Sequence, residues 1–582
     1  MKLPASLRLF HVFDGPNAFD DTAPDPLDLS QTAAPEPDLP PIKLSSAVIG
    51  MSNPVSKAGD QALLAGQARA TYGLSGAGVK VGILSDSFNV HGGYALDIAS
   101  GALSAGVQVL QDGPVAGGDE GRAMAELVHQ VAPGASLAFY TAFRSETDFA
   151  NGIRALAAAG CKVIVDDVTY LDEPFFQSGG AIQQAIASVV AQGVSYFTSA
   201  SNEGTNFYQH AFTGITAALP GISGNYKVMN FGSVAAPQTL QSLTIAKGAT
   251  ATIDLQWDQP FASIGTGHAS ANSLGLVLFD TSGRIVASAL ANRTGGDPVQ
   301  ILKFTNTTTG TGFRLGIIAN GGSVPPNLFK YIVYGSGTTI NDANAGIGSG
   351  TVIGHEDMAG ANSVGAIAAS SAPALGGNRK IESFSSVGPG MILFDSSGNR
   401  LSAAVAGNKV NFIAPDGIAT SVFAQFYGTS AAAPDAAAVA ALMLQANGTL
   451  TPAQVTAMLS ASAIAVSGAA GGVGAGLIQA TTAVQAALAA KGKPAGTTPT
   501  PLIPTAGTVP AGTGALSHDF SSAVASALDD PTARGDFFAQ VIGTTLWPDM
   551  QVTTATAFAI GHALGDTPVL VFADTGTHPL VS

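Results

Sequence analysis

The stretch Tyr427-Gly428-Thr429-Ser430-Ala431-Ala432-Ala433-Pro434 opens a run of small residues that continues through Val439, Leu442, Met443 and Leu444 to Asn447-Gly448. Alanine-rich sequence favours a helix, and Asn-Gly is a good helix end. Proline is tolerated only near a helix start, so Pro434 places Ser430 on the first turn. There the free N–H groups and the helix dipole favour negative charge, such as the oxyanion formed when a carbonyl is attacked. Gly428 lets a backbone approach closely. The stretch reads as a nucleophile mounted on a helix start. Gly-Thr-Ser is common by itself, so the partners elsewhere in the chain decide the reading.

Working outward, the chain has 582 residues, which implies more than one domain. Charged residues make up 11%, against about 25% in ordinary globular proteins. Lys and Arg total 24 against 39 Asp and Glu, for a net charge of −15. Such a balance argues against nucleic acid or an anionic membrane as partner. Cys161 is the single cysteine, so no disulfide framework and no cysteine-based metal site are expected. The most apolar helical run, Ala436 to Leu444, is far short of the roughly 20 residues a bilayer needs. Low charge with many small polar residues suits an exported protein, although the N-terminus lacks the apolar core of a cleaved signal.

Residues 1–45 are rich in Pro and Asp and are expected to form a flexible arm. Residues 46–212 then alternate buried strands with helices. Val79 to Leu84 is a strand ending at Asp86, a carboxylate at the carboxyl edge where open α/β sheets build their sites. A helix from Glu120 follows, with Met124, Leu127, Val128 and Val131 on the stripe that Glu120 shares; Arg122, Glu126 and His129 are expected on a solvated face. Lys162 to Tyr170 is a third strand carrying Asp166-Asp167, and Val194 to Thr198 leads to Asn202. The alternation predicts a doubly wound, mostly parallel sheet. From 213 to 340 the period becomes two, as in Ala251 to Trp257, which predicts an inserted, separable β-sandwich or jelly roll. The α/β pattern resumes over 341–490, a Pro/Thr/Gly linker covers 491–515, and 516–582 gives no functional pattern.

The order Asp86, Glu120, Asn202, Ser430 resembles the subtilisin-like serine peptidases. The resemblance is carried by V-K-V-G-I-L-S-D-S from Val79, V-A-P-G-A-S-L from Val131, S-A-S-N-E-G from Ser199, I-A-P-D-G from Ile413 and G-T-S-A-A-A-P from Gly428. It covers about residues 60–204 and 345–490, and implies an α/β peptidase acting on protein or peptide substrates. It assigns catalytic roles to Asp86 and Ser430 and oxyanion binding to Asn202, with no cofactor and no metal.

The sequence departs from the family at its histidine. Where the family has His-Gly-Thr-His, this chain reads Glu120-Gly121-Arg122-Ala123. A carboxylate in the base position is similar to the sedolisins, the acid-acting relatives with a Ser-Glu-Asp triad. Unlike theirs, position 124 is Met rather than Asp, the oxyanion position holds Asn202 rather than Asp, and the C-terminal acidic calcium pattern is missing. Glu120 is therefore the expected base, with His91 in the loop after Asp86 as the alternative. His129 points to the other helix face, and Gly354-His355-Glu356 reads as a structural turn. Asp167 lies where the family's substrate-lining strand runs and is expected to act beside Glu120 or on the substrate. Asn202 also suits simple turn chemistry before Gly204. Two functions follow: a secreted serine endopeptidase, or a peptidase-like binding or adhesion protein that lost activity with its histidine.

Overall fold

The computed structural model describes residues 11–13, 56–265, 267–341, 350–492, 556–563 and 567–573. The chain forms two compact units, Met1–Pro501 and Leu502–Ser582. In the second, the strands Thr556–Ala563 and Thr567–Ala573 pair antiparallel. Most of the expected arm and linker lie outside the described residues; His11–Phe13 forms a short strand pairing in parallel with Val168–Tyr170.

The first unit is built on seven parallel strands: β1 Lys80–Ser85, β2 Gln108–Gln111, β3 Ser136–Thr141, β4 Val163–Asp166, β5 Ser195–Ser199, β6 Ala361–Ala368 and β7 Phe412–Asp416. Their spatial order is β7-β6-β5-β4-β1-β3-β2. β1, β4 and β5 are almost wholly buried, which is why β1 and β4 read as apolar runs rather than alternating ones, while β5 carries small hydroxyl residues beside Tyr196 and Phe197. Helices cover both faces. On one, α1 Glu120–Val131 and α4 Thr429–Ala446 pack with the C-terminal helices Pro452–Ser462 and Ala480–Ala489. On the other, α2 Glu146–Ala158 and α3 Ala181–Ala191 pack around Phe149, Ile153, Ile182 and Ile186. The expected third strand is divided, β4 ending at Asp166 and a separate strand, Val168–Tyr170, following Asp167.

Between β5 and β6 the chain builds two antiparallel sheets, one of seven strands and one of four. They begin at the strand Phe207–Ala211, six residues before the boundary expected from the sequence. The four-stranded sheet lies on the peptidase body: Phe207, Ile332 and Tyr334 share a buried cluster with Leu171, Phe175, Phe176 and Ile353.

The expected solvated face of α1 is not solvated. Glu126 is fully buried and Arg122 nearly so. The Arg122 guanidinium is 2.6 Å from Asp97 and 3.2 Å from Asp119, and donates to the Phe88 carbonyl at 3.0 Å. Partners supplied by the short helix Tyr94–Ser100 and by surrounding loops replace the water that helix periodicity alone would assign to that face.

Candidate active site

The five residues singled out by sequence all lie at the carboxyl edge of the sheet. Asp86 directly follows β1, Asp167 follows β4, Asn202 lies three residues past β5, Glu120 is the first residue of α1 and Ser430 the second of α4. All five are buried.

Asp86 meets the start of α1. Its Oδ1 accepts the backbone N–H of Glu120 at 2.9 Å and of Gly121 at 3.4 Å, and the N–H groups of Ser87 and Gly118 also point at its carboxylate. A helix start has unpaired N–H donors, and an anion placed there satisfies them and the dipole. Asp86 thus fixes the backbone that carries Glu120. The bend into α1 is held from outside as well. Asp119 sits in the left-handed region at φ 56, with its carboxylate receiving the N–H of Val90 at 2.9 Å and of His91 at 3.2 Å.

Glu120 is fully buried, on the apolar side of α1 as the stripe predicts. Its carboxyl group faces that of Asp167. Burial first, and then the charge and hydrogen bonding of Glu120, push the Asp167 pKa well above the usual carboxylate range, with Asp86 adding to the effect. Two carboxyls side by side in a dry site do not both ionise easily, so Asp167 retains its proton where an isolated carboxyl would have lost it.

The other half of the site is organised by Asn202. Its Oδ1 accepts the backbone N–H and the hydroxyl of Thr429, each at 3.0 Å, which ties the end of β5 to the residue before Ser430. A Cβ on Gly428 would lie 3.1 Å from Asn202 Nδ2, and Gly428 has φ 111, so glycine is required on both counts. Ser201, immediately before Asn202, is held at φ 74. Left-handed backbone at non-glycine residues costs of order 1–3 kcal/mol and tends to occur where surrounding structure forces it. Here it occurs directly before Asn202 and directly before Glu120. Asp416, at the end of β7, accepts the Gly428 N–H at 2.9 Å and anchors the same turn.

The histidines fall elsewhere. His91 is exposed, with Nε2 2.5 Å from the Gly117 carbonyl. A carbonyl only accepts, so Nε2 carries the proton there and is not the basic nitrogen. His129 is half-buried beside Ser104, and burial lowers its pKa. His355 is fully buried between Asp166 and Glu173.

Sequence reasoning missed Thr429, Asp416 and the Asp166–His355–Glu173 group. The run Gly354-His355-Glu356-Asp357, three ionisable residues in a chain so poor in charge, was the available signal for the last of these. Among the described residues no group of His, Cys, Asp and Glu has the arrangement of a metal site, and no helix is long and apolar enough to cross a membrane.

Among solved structures, the chain is similar to the CspB protease of Clostridium perfringens at 14% identity and a TM-score of 0.46, covering 74% of this chain and 98% of that one. It is similar to MycP1 from the ESX-1 type VII secretion system at 14% identity and a TM-score of 0.35, covering 80% and 96%. A protease from Pseudoalteromonas arctica PAMC 21717 matches at 12% identity and a TM-score of 0.32, covering 73% and 92%. No curated protein sequence matches significantly. The model of the subtilase family matches residues 109–491, well over half of the 582 residues, and so the chain belongs to the subtilase family of serine peptidases.

Proposed function

We propose that this subtilase is a serine endopeptidase that works in acid with Glu120 in place of the family histidine, as in the sedolisins. The observation that carries the reading is the buried Glu120–Asp167 carboxyl pair at the start of α1. Ser430 Oγ attacks the substrate carbonyl carbon and its proton passes to Glu120. The oxyanion is held by the Asn202 amide and the Ser430 N–H. As the C–N bond breaks, Glu120 returns the proton to the leaving amine, and water then repeats the cycle on the acyl-enzyme. Asp167, its pKa raised by burial and by Glu120, keeps its proton, and Glu120 is the base. Asp86 acts through the backbone, holding the first turn of α1. Protein and peptide chains are the substrates, and export is part of the proposal.

The deciding experiment is a pH–rate profile of wild type and Glu120→Gln on a fluorogenic peptide, with fluorophosphonate labelling of Ser430. Gln keeps the shape and cannot take the proton. The expected result is an optimum below neutrality and a loss of roughly 10²- to 10⁴-fold in the Gln variant. An alkaline optimum, or a fully active Gln variant, excludes Glu120 as base. Wild type that never labels is the binding protein instead.

A further inference from the structure

We propose that His355, buried and outside the cleft, is a positioning residue for the Glu120–Asp167 pair, acting through the backbone on either side of Asp167. The inference rests on the reading of Glu120 as the base.

Asp167 lies between β4 and the strand Val168–Tyr170, where the chain leaves the sheet. Two consecutive side chains of the turn Gly354–Asp357 hold Asp166, the residue before Asp167, and Thr169, two residues after it. His355 Nε2 is 3.2 Å from Asp166 Oδ1, and Glu356 accepts the hydroxyl of Thr169. His355 Nδ1 is 2.6 Å from Glu173 Oε2, so the same ring also holds the turn that follows the strand Val168–Tyr170. A carboxyl oxygen within hydrogen-bond distance of each ring nitrogen is the setting that favours the doubly protonated ring, the imidazolium. Burial alone would favour the neutral ring, but the charges of Glu173 and Asp166 hold its pKa well above the ordinary histidine value. The turn has little room to move: a Cβ on Gly354 would meet the Glu173 carboxylate at 2.7 Å. Its far side is set by the inserted sandwich, where buried Lys330 lies in the field of Asp357.

The groups facing the ring are Asp166 from β4, Glu173 from the turn after Val168–Tyr170, the Thr198 hydroxyl from β5 at 3.4 Å and Phe149 edge-on from α2. Glu356 lies on its own turn, and Glu146 of α2 is within reach of its charge. The ring is the cation among these carboxyls. Removing it leaves negative charge uncompensated one residue from Asp167, which favours protonation of the catalytic pair.

The test compares full-length wild type, His355→Gln, Thr169→Val and Glu120→Gln, measuring kcat and KM against pH. In His355→Gln, kcat should fall roughly 10- to 100-fold, the order expected for a small misplacement of catalytic groups. KM should stay within about twofold, because no substrate contact is removed. The acid limb of kcat/KM should move to higher pH. Thr169→Val, which removes only the hydroxyl given to Glu356, should show a smaller loss of kcat at unchanged KM; if His355→Gln does not fold, Glu173→Gln, which leaves the ring and an acceptor for Nδ1 but removes that charge, takes its place and should lower kcat in the same way. Folded variants with wild-type kcat and an unmoved acid limb overturn the proposal while leaving Glu120 as base, provided Glu120→Gln is inactive. A fully active Glu120→Gln overturns both.

Discussion

The residues that decide the chemistry are few, and each is fixed by a neighbour the sequence hides. Ser430 and Asn202 stand where their motifs predict, but the contact that unites them runs through Thr429, whose N–H and hydroxyl both go to Asn202 Oδ1. Occupying Oδ1 in this way leaves the amide's donors on the Gly428 side, and the proposed mechanism has them meet the oxyanion there. Asn202→Ala should therefore lower kcat by about 10²- to 10³-fold with a modest change in KM, the usual effect of losing one oxyanion donor. Steady-state kinetics on a peptide substrate would show it, and an equal rise in KM at constant kcat would remove Asn202 from that role. Ser430→Ala should abolish hydrolysis while the circular dichroism spectrum stays that of wild type, since alanine is at home on the first turn of α4. Wild-type turnover in that variant would mean the nucleophile lies elsewhere. Asp86 shows the limit of reading residues by type. Its position was legible as a carboxylate at a strand end, but the four backbone N–H groups it collects are a property of how the Gly117–Gly121 bend folds.

At the scale of elements, strand and helix order was legible because β1 and β4 are apolar runs, α1 keeps one apolar stripe and α4 is a long run of small apolar residues. What failed was the outer face of α1. Periodicity separates one helix face from another but says nothing of what covers the second, and the short helix Tyr94–Ser100 carrying Asp97 and the loop carrying Ser421 cover this one. The inserted sandwich raises the same question. Its alternating strands predict an apolar face of its own, and Trp257, Leu276 and Leu315 do form an internal core. Yet the outer face of its four-stranded sheet is also apolar, with Phe207, Ile332 and Tyr334 packed against Phe175 and Phe176 of the body. Gln256 adds three hydrogen bonds to the backbone of Leu171, Glu173 and Phe175. Uncovering each of the large side chains forfeits about 1.5–3 kcal/mol, a large share of a small domain's stability. Residues 207–340 expressed alone should accordingly lack a cooperative melt or self-associate through that face. A monomer with a sharp unfolding transition would restore the expectation of a separable insert.

For the whole molecule, the sparse charge of the sequence takes on meaning once its location is known: many of the carboxyls are buried. Burial pushes Glu126 up to about 7, and Asp357 likewise to about 7. Asp167, Glu146, Glu356, Asp416 and Asp435 are all raised well above the ordinary range, burial being the first cause in each. A carboxyl whose pKa is higher folded than unfolded binds more protons in the native state throughout that interval, so stability falls as pH rises through it. His355 acts in the same direction, since the stability a raised imidazolium contributes is complete below its unfolded pKa and lost as pH climbs through the folded value. Lys330, pushed down to about 8 by burial, acts in the opposite sense only above that pH. Between about pH 4.5 and 7 the native state should therefore lose stability steadily, which suits an enzyme that works in acid. Glu126 alone, moved from an ordinary value to about 7, corresponds to about 3 kcal/mol across that window. Urea unfolding of Ser430→Ala, a background free of self-digestion, at several values from pH 4.5 to 7.5 would measure the slope. Adding Glu126→Gln, which keeps the shape and an acceptor for the Ser421 N–H but cannot ionise, should flatten the curve by that single group's share. A midpoint that rises with pH over this range would show that these carboxyls are ionised and satisfied in the native state, and would weigh against a site built to work in acid.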